Sequence, residues 1–406
     1  PSKFDDSDAH NLLSRLNETE VELQLTRYEL SQLREMLKAA EELVHSLTSS
    51  NGASFFAKSH EIPDSKLAGE DSGTIISLRE AQTLSEELHE YIGEKELPLG
   101  WSPALGSSTM VSPIGHSCER VVEDLLNYMD YKVGGPCPDD QRFAQSLMLH
   151  GCEPLPRRRC FAKAPESYKE PYPRPESMWT MPEDESILWT PYTCKSFECL
   201  NDRKNKGVSA DCLDCFELDG RESWRWTTRS TGDTDLDYSV DEVLEMKKGT
   251  VRIGLDLGGG TATFAVRMME RNVTIITTSL NLNGPFNNFI ALRGVVPLYL
   301  SIAQRLPFFD NTLDLVHSMH VLSHWIPTTT LDFILFDIDR VLRPGGIFWL
   351  DRFFCIEPQL EETYIPLFHK LGYKKHKWAI APKLDRGAHL REVYLSAVLE
   401  KPLSRK

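Results

Sequence analysis

No run of about 18 consecutive apolar residues occurs in the 406-residue chain, which excludes a membrane-spanning helix within it. Positive charge is in short supply: 45 Lys and Arg stand against 60 Asp and Glu, and the net charge of −15 argues against a general nucleic-acid binder. Cysteine nearly vanishes after Cys215, with Cys355 alone beyond it. An initial methionine is also lacking, so a membrane anchor or signal upstream of Pro1 is expected.

What is present falls into four textures. Residues 1–50 read as a coiled-coil stem. Leu16, Leu23, Leu30, Leu37 and Val44 recur every seven residues, and Leu12, Leu33, Ala40 and Leu47 supply a second seam. Such a period drives supercoiling with a partner helix, so a homodimer through residues 12–47 is expected. Residues 51–110 are rich in Gly, Ser and acidic residues and read as a linker or stalk. Residues 111–235 form a Cys-rich accessory module in which ten prolines between Pro136 and Pro191 forbid long helices and central strands. Its Trp179, Trp189, Trp224 and Trp226 suit either sugar stacking or the core of a loop-rich module.

Eight of the nine cysteines precede residue 216. An even number in a loop-rich segment fits four disulfides formed in a secretory compartment, with Cys355 left as a buried thiol. The spacing of Cys194, Cys199, Cys212 and Cys215 also matches a four-thiolate zinc site, and that alternative stays open. Sequons at Asn17 and Asn272 are compatible with the same compartment.

From residue 240 to 402 short apolar runs alternate with helical patterns: Val251–Leu257, Thr274–Leu280, Val295–Leu300, Leu313–Ser318 and Ile347–Asp351. This alternation predicts a doubly wound α/β domain, with Tyr373–Ala379 and Glu392–Leu399 as a final antiparallel pair. The first run ends in Asp256 and passes into Gly258, Gly259 and Gly260, a turn where backbone can approach a ligand beyond the strand ends. Thr263 takes the place of the third glycine of a nicotinamide fingerprint, which argues against that cofactor. Leu306-Pro-Phe follows, then Leu313-Asp-Leu-Val, then Leu342-Arg-Pro-Gly-Gly, where a helix is expected to stop and a turn to lead into a buried strand.

This ordered set resembles the class I S-adenosylmethionine-dependent methyltransferases, whose fold is a Rossmann-like seven-stranded sheet. Gln304-Arg-Leu-Pro-Phe, the run Asp337 to Gly346, Cys160 and the Pro/Trp-rich stretch Tyr172–Trp179 narrow the likeness to plant Golgi proteins related to the homogalacturonan (pectin) methyltransferases. The resemblance implies S-adenosylmethionine as cofactor, an anionic polysaccharide as acceptor and a lumenal type II layout. It also implies that Asp256, Gly258, Gly259 and Gly260 shape the cofactor site. Ser279 or Asn281 would meet the ribose, and Ile302 and Ala303 would lie beside the adenine. Two departures stand out: no acid follows the second strand, and Ser301-Ile302-Ala303 takes the place of an acid near the adenine. A non-catalytic scaffold partnering another Golgi enzyme is therefore the alternative function, with a small-molecule methyltransferase third.

Candidate catalytic groups are His317, His320, His324 and Arg352, with Trp325, Asp351 and Arg352 toward the substrate. His320 and His324, four apart, are expected on one helical face as base or substrate contacts. No neighbouring acid or cysteine completes a metal site with them, so no metal is assigned. A carboxylate acceptor needs no base, whereas a sugar hydroxyl does. From Lys370 onward ten Lys and Arg face three acids, either a solvated face or a patch for an anion.

Overall fold

The computed structural model describes residues 88, 94–96, 109–111, 116–167, 175–203, 215–227, 236–385 and 387–404. The stem, its dimer seam at 12–47 and most of the stalk lie outside them, as does Cys212. A two-stranded antiparallel ribbon, β1 (Glu94–Glu96) with β2 (Thr109–Val111), precedes helices α1 (Val122–Met129) and α2 (Gln141–Leu149). A short α3 (Phe197–Asn201) follows in a loop-rich stretch, as its prolines predict.

Disulfides join Cys118 to Cys152, Cys137 to Cys160 and Cys194 to Cys199. Cys215 is also disulfide-bonded, and among the described residues Cys355 is the free, buried thiol. The Cys194–Cys199 bond removes two thiolates from the zinc alternative, which therefore falls. Leu125, Tyr128, Met129 and Leu147 build a small core around Cys118 and Cys152. Further on, Ile187, Phe197, Leu200 and Phe216 share a core with Phe286 and Phe289 of the wound region, so the accessory segment is fused to it by apolar burial.

The wound region runs α4 (Val240–Met246), β3 (Ile253–Leu257), α5 (Thr263–Met269), β4 (Thr274–Thr278), α6 (Phe286–Leu292), β5 (Val296–Leu298), β6 (Leu313–Met319), α7 (Thr328–Val341), β7 (Leu342–Ile356), α8 (Ile365–Lys370), β8 (Lys374–Pro382) and β9 (Glu392–Glu400). The seven strands lie in the order β5-β4-β3-β6-β7-β9-β8. β3 to β7 are parallel, and β9 runs antiparallel between β7 and β8. Alternate residues of β7 feed two cores. Phe348 and Leu350 pack with Leu331, Leu335 and Phe368 on one face, while Ile347 and Trp349 pack with Val243, Phe264 and Val266 on the other. The chain leaves β3 toward β4 and β5, then returns to β6 on β3's other side. That reversal opens a crevice at the carboxyl ends of β3 and β6, where ligands of such sheets bind.

Two local expectations change. Arg343-Pro-Gly-Gly is not a separate turn: α7 gives way directly to β7 at Leu342, and the register beside β6 slips there while Gly345 takes φ +75°. A glycine absorbs the irregularity, so the strand can begin at Leu342, ahead of the glycine pair. The basic carboxy-terminal stretch is largely paired, with Lys370 on Asp332, Lys377 on Glu242, Lys383 on Asp385 and Glu392, and Arg391 on Glu357.

Candidate functional site

The glycine turn lies on the strand ends with no space for side chains. Gly258 and Gly260 have φ of +64° and +57°, a region that disfavours other residues. A Cβ on Gly259 would lie 2.0 Å from Asp256 Oδ2, and one on Gly258 would lie 2.9 Å from Val321. The turn is held by Gly258 N–H donating to Thr278 Oγ1 at 2.9 Å and Gly259 N–H to the Thr278 carbonyl at 3.2 Å.

Beneath it, Asp256 is buried and its Oδ1 lies 2.7 Å from His317 Nδ1. His317 Nε2 is 3.6 Å from Asp351 Oδ2, an ion-pair distance too long for a hydrogen bond. Asp351 in turn accepts from Trp226 Nε1 at 2.8 Å. Burial works against the His317 imidazolium, but the hydrogen bond to Asp256 and the Asp351 carboxylate outweigh it and hold its pKa above the ordinary value. Burial likewise raises the Asp351 pKa, and His317 with Trp226 more than offsets that, leaving it depressed. His317 is thus walled off from solvent, with Phe264 stacked 3.8 Å from its ring. It does not present a base to a substrate.

The other two histidines do not share a helical face. β6 ends at Met319, His320 turns the chain at φ +61°, and His324 N–H donates to the Phe354 carbonyl at 3.0 Å. The segment runs as a strap tied to the end of β7, which competes successfully with a helix for those backbone groups. His320 stacks on Tyr394, and burial lowers its pKa to about 4, helped by Arg225, Arg352 and Arg221. His324 Nδ1 lies 3.4 Å from the Phe354 carbonyl oxygen. Trp325 is 67% exposed beside it and meets the His324 and Phe354 rings edge-on. Arg352 takes φ +50° and pairs with Asp237, Nε to Oδ1 at 3.1 Å.

On the far side of the turn the groups are neutral. Asn281 Oδ1 accepts from Asn287 N at 3.0 Å and Nδ2 at 2.9 Å, capping α6. Ser279 Oγ donates to the Leu280 carbonyl at 3.2 Å. Ile302 reaches Leu257 in a small cavity closed by Gln304, Leu306, Ile334 and Asp337, while Ala303 is exposed outside that lining. Helix α2 comes down on these strand ends: Gln145 Nε2 donates to the Asn281 carbonyl at 3.1 Å, and Gln141 Nε2 to Tyr299 Oη at 2.7 Å. Sequence reasoning missed Gln145, Phe264 and Val321, because each reaches the site through tertiary contacts that no local pattern marks, and of its two readings of Trp226 the core role holds.

An adenosyl cofactor fits this frame. The turn is a cradle that a Cβ would fill, the Leu257–Ile302 cavity adjoins it, and Asp256 Oδ2 and Thr277 Oγ1 beneath are buried without hydrogen-bond partners.

A seven-stranded sheet wound in this order, with a glycine turn at the switch crevice, defines a class I S-adenosylmethionine-dependent methyltransferase. Residues 136–358 match the model of a family described as "Putative S-adenosyl-L-methionine-dependent methyltransferase", and the chain belongs to that family. It is similar to "Probable methyltransferase At1g29790" of Arabidopsis thaliana, 41% identical over 73% of this chain and 73% of that protein. "Probable methyltransferase PMT21" from the same plant is 28% identical over 55% of this chain and 36% of its own length. "Probable pectin methyltransferase QUA3", also from Arabidopsis, is 26% identical over 52% of this chain and 34% of its own length. The chain therefore spans about a third of those two longer relatives.

Proposed function

We propose that this methyltransferase esterifies carboxylates of an acidic cell-wall polysaccharide, such as pectin, in the Golgi lumen. The observation that carries the acceptor class is the state of the histidines: His317 is boxed between two carboxylates, His320 is held near pKa 4, and His324 Nδ1 is turned to the Phe354 carbonyl oxygen. A hydroxyl acceptor requires a base poised near the working pH, whereas a carboxylate attacks as it stands. Seated at Gly258–Gly260, S-adenosylmethionine would supply an electrophilic sulfonium methyl: the acceptor carboxylate oxygen would form the new bond to carbon, and the sulfur would keep the electron pair of the broken one. No proton moves. The chain's task is alignment: the glycine turn seats the donor, and the strap with Trp325 borders the acceptor's approach.

The name of the pectin methyltransferase relative supports the polysaccharide, and disulfides support an oxidising lumen. Asn272 of the second sequon is exposed in the turn between α5 and β4, at the sheet edge opposite the crevice, where a glycan would leave the site clear. The anchor upstream and the dimer through residues 12–47 belong to the same reading.

The test is labelled methyl transfer to de-esterified pectin by purified chain, with Gly258→Asp as control. Transfer to pectin, lost in the control and reversed by saponification, supports the reading. Labelling of neutral polysaccharide at the same rate would overturn the carboxylate assignment. Cofactor binding with no transfer to any polyanion favours the scaffold alternative instead.

A further inference from the structure

Asp256 and His317 stand near the carboxyl ends of β3 and β6, and Asp351 lies on the adjacent parallel strand β7, beside the last residue of β6. Asp256 pairs with His317 in register, and Asp351 pairs with Met319 two residues further along β6. Their side chains are 1%, 1% and 6% exposed. Phe264, Trp226 and Trp349 wall the imidazole, the latter two edge-on at 5.5 and 5.2 Å. The titratable groups facing His317 are thus Asp256 from β3 and Asp351 from β7, and the remaining wall is aromatic.

Such a cluster is a poor way to gain stability. Removing charges from water costs several kcal/mol per ion, and well-packed apolar replacements of buried ion sets are often equal or better. Its position supplies another reason to keep it. Asp256 Oδ1 is taken by His317, but Oδ2 makes no hydrogen bond and lies directly under Gly259. Thr277 Oγ1 and Ser318 Oγ, on the strands to either side, are also buried without partners. Two carboxylates beside a single imidazole leave a net negative charge, whichever form the ring takes, below a turn that must receive a sulfonium and an ammonium.

We propose that His317 is a positioning residue for cofactor binding: its Nδ1–H holds the Asp256 carboxylate in one rotamer, so that Oδ2 and its charge face the underside of the glycine turn. His317 touches neither substrate nor cofactor. Asp351 and Trp226 anchor its far side and tie it to the accessory segment.

Two amides separate this role from plain packing. In His317→Asn the amide nitrogen falls near the place of Nδ1 and can still donate to Asp256. In His317→Gln it falls near Nε2 and reaches toward Asp351 instead. Both lose the ring stacking on Phe264 and should lose comparable stability in denaturant. Calorimetric binding of S-adenosylhomocysteine to the whole chain is the readout. The Asn variant is expected within ~3-fold of the native Kd and the Gln variant at least ~10-fold weaker, the latter equal to about 1.4 kcal/mol. Trp226→Phe leaves His317 and Asp256 in place and should lower stability while keeping Kd within ~3-fold. Equal weakening in Asn and Gln variants, native affinity in the Gln variant, or a Trp226→Phe loss as large as that of Gln would each overturn the proposal. If one His317 variant fails to fold, the other still decides: an Asn variant at least ~10-fold weaker, or a Gln variant within ~3-fold of native, overturns the proposal. A native chain that binds no S-adenosylhomocysteine at all would instead overturn the cofactor assignment, and the positioning role with it.

Discussion

The two rims of the crevice are built from opposite chemistry. Where β3 and β6 end beside β7, the polar groups are ionic, dry and boxed by aromatics: Asp256, His317 and Asp351. At the ends of β4 and β5 they are neutral amides and hydroxyls, namely Asn281, Asn287, Ser279 and Gln145, joined to a helix from the accessory segment. A buried carboxylate persists where an imidazolium and an indole N–H satisfy it. On the other rim the chain uses neutral side chains, with Arg203 donating to the Asn283 carbonyl, and closes the rim with α2. The lesson is that the acid missing after the second strand belongs to a rim organised around neutral hydrogen bonds, with the charge concentrated on the other side.

The largest expected effect breaks the boundary between the rims. Gly259→Ala would set a methyl 2.0 Å from Asp256 Oδ2 and 2.5 Å from Thr277, neither of which can retreat. Binding of S-adenosylhomocysteine should fall below detection by calorimetry, with a stability loss of roughly 1–3 kcal/mol from overpacking. Retained binding would refute the close-packed turn.

The next effect sharpens the ionic side through pH. His317's raised pKa means its stabilisation is complete below about 6.5, the unfolded value, and fades as pH rises through the folded value. His320 behaves in the opposite sense. With a folded pKa of about 4, it contributes above pH ~6.5 and that contribution is lost as pH falls through the folded value. His320→Gln should therefore remove an acid-sensitive component of roughly 1–3 kcal/mol between those limits, read from denaturant midpoints at each pH. An unchanged profile would mean that His320 is not held neutral by burial.

The smallest effect concerns the neutral rim. Asn281→Asp keeps the oxygen that accepts from Asn287 N and adds charge at the start of α6. A gain of about 0.5 kcal/mol in thermal or denaturant unfolding is expected from the helix dipole, and it should shrink in salt. A loss would show that Asn287 Nδ2 and Gln145 need an uncharged partner there.

Much of this architecture is legible without coordinates. The proline-dense segment and the alternation of apolar runs with helical patterns are local signals, as is the glycine run after Asp256. The disulfide reading was legible from an even count, though not its pairing, because Cys118 finds Cys152 only once α1 and α2 pack. His320 and His324 misled for a physical reason: spacing suggests a helix, but the ends of β6 and β7 offered their backbone groups better partners. Arg352 met Asp237 across 115 residues, a pairing that no short window contains.

The order of residues alone therefore determined that a wound sheet forms, where its glycine turn falls, and that an adenosyl donor suits it, because backbone freedom and periodicity are properties of neighbours in sequence. Tertiary structure alone decided which polar groups are ionised, boxed or shared, since burial and strand register set those states. Asp256 and His317, 61 residues apart, become one unit only when β3 and β6 lie side by side.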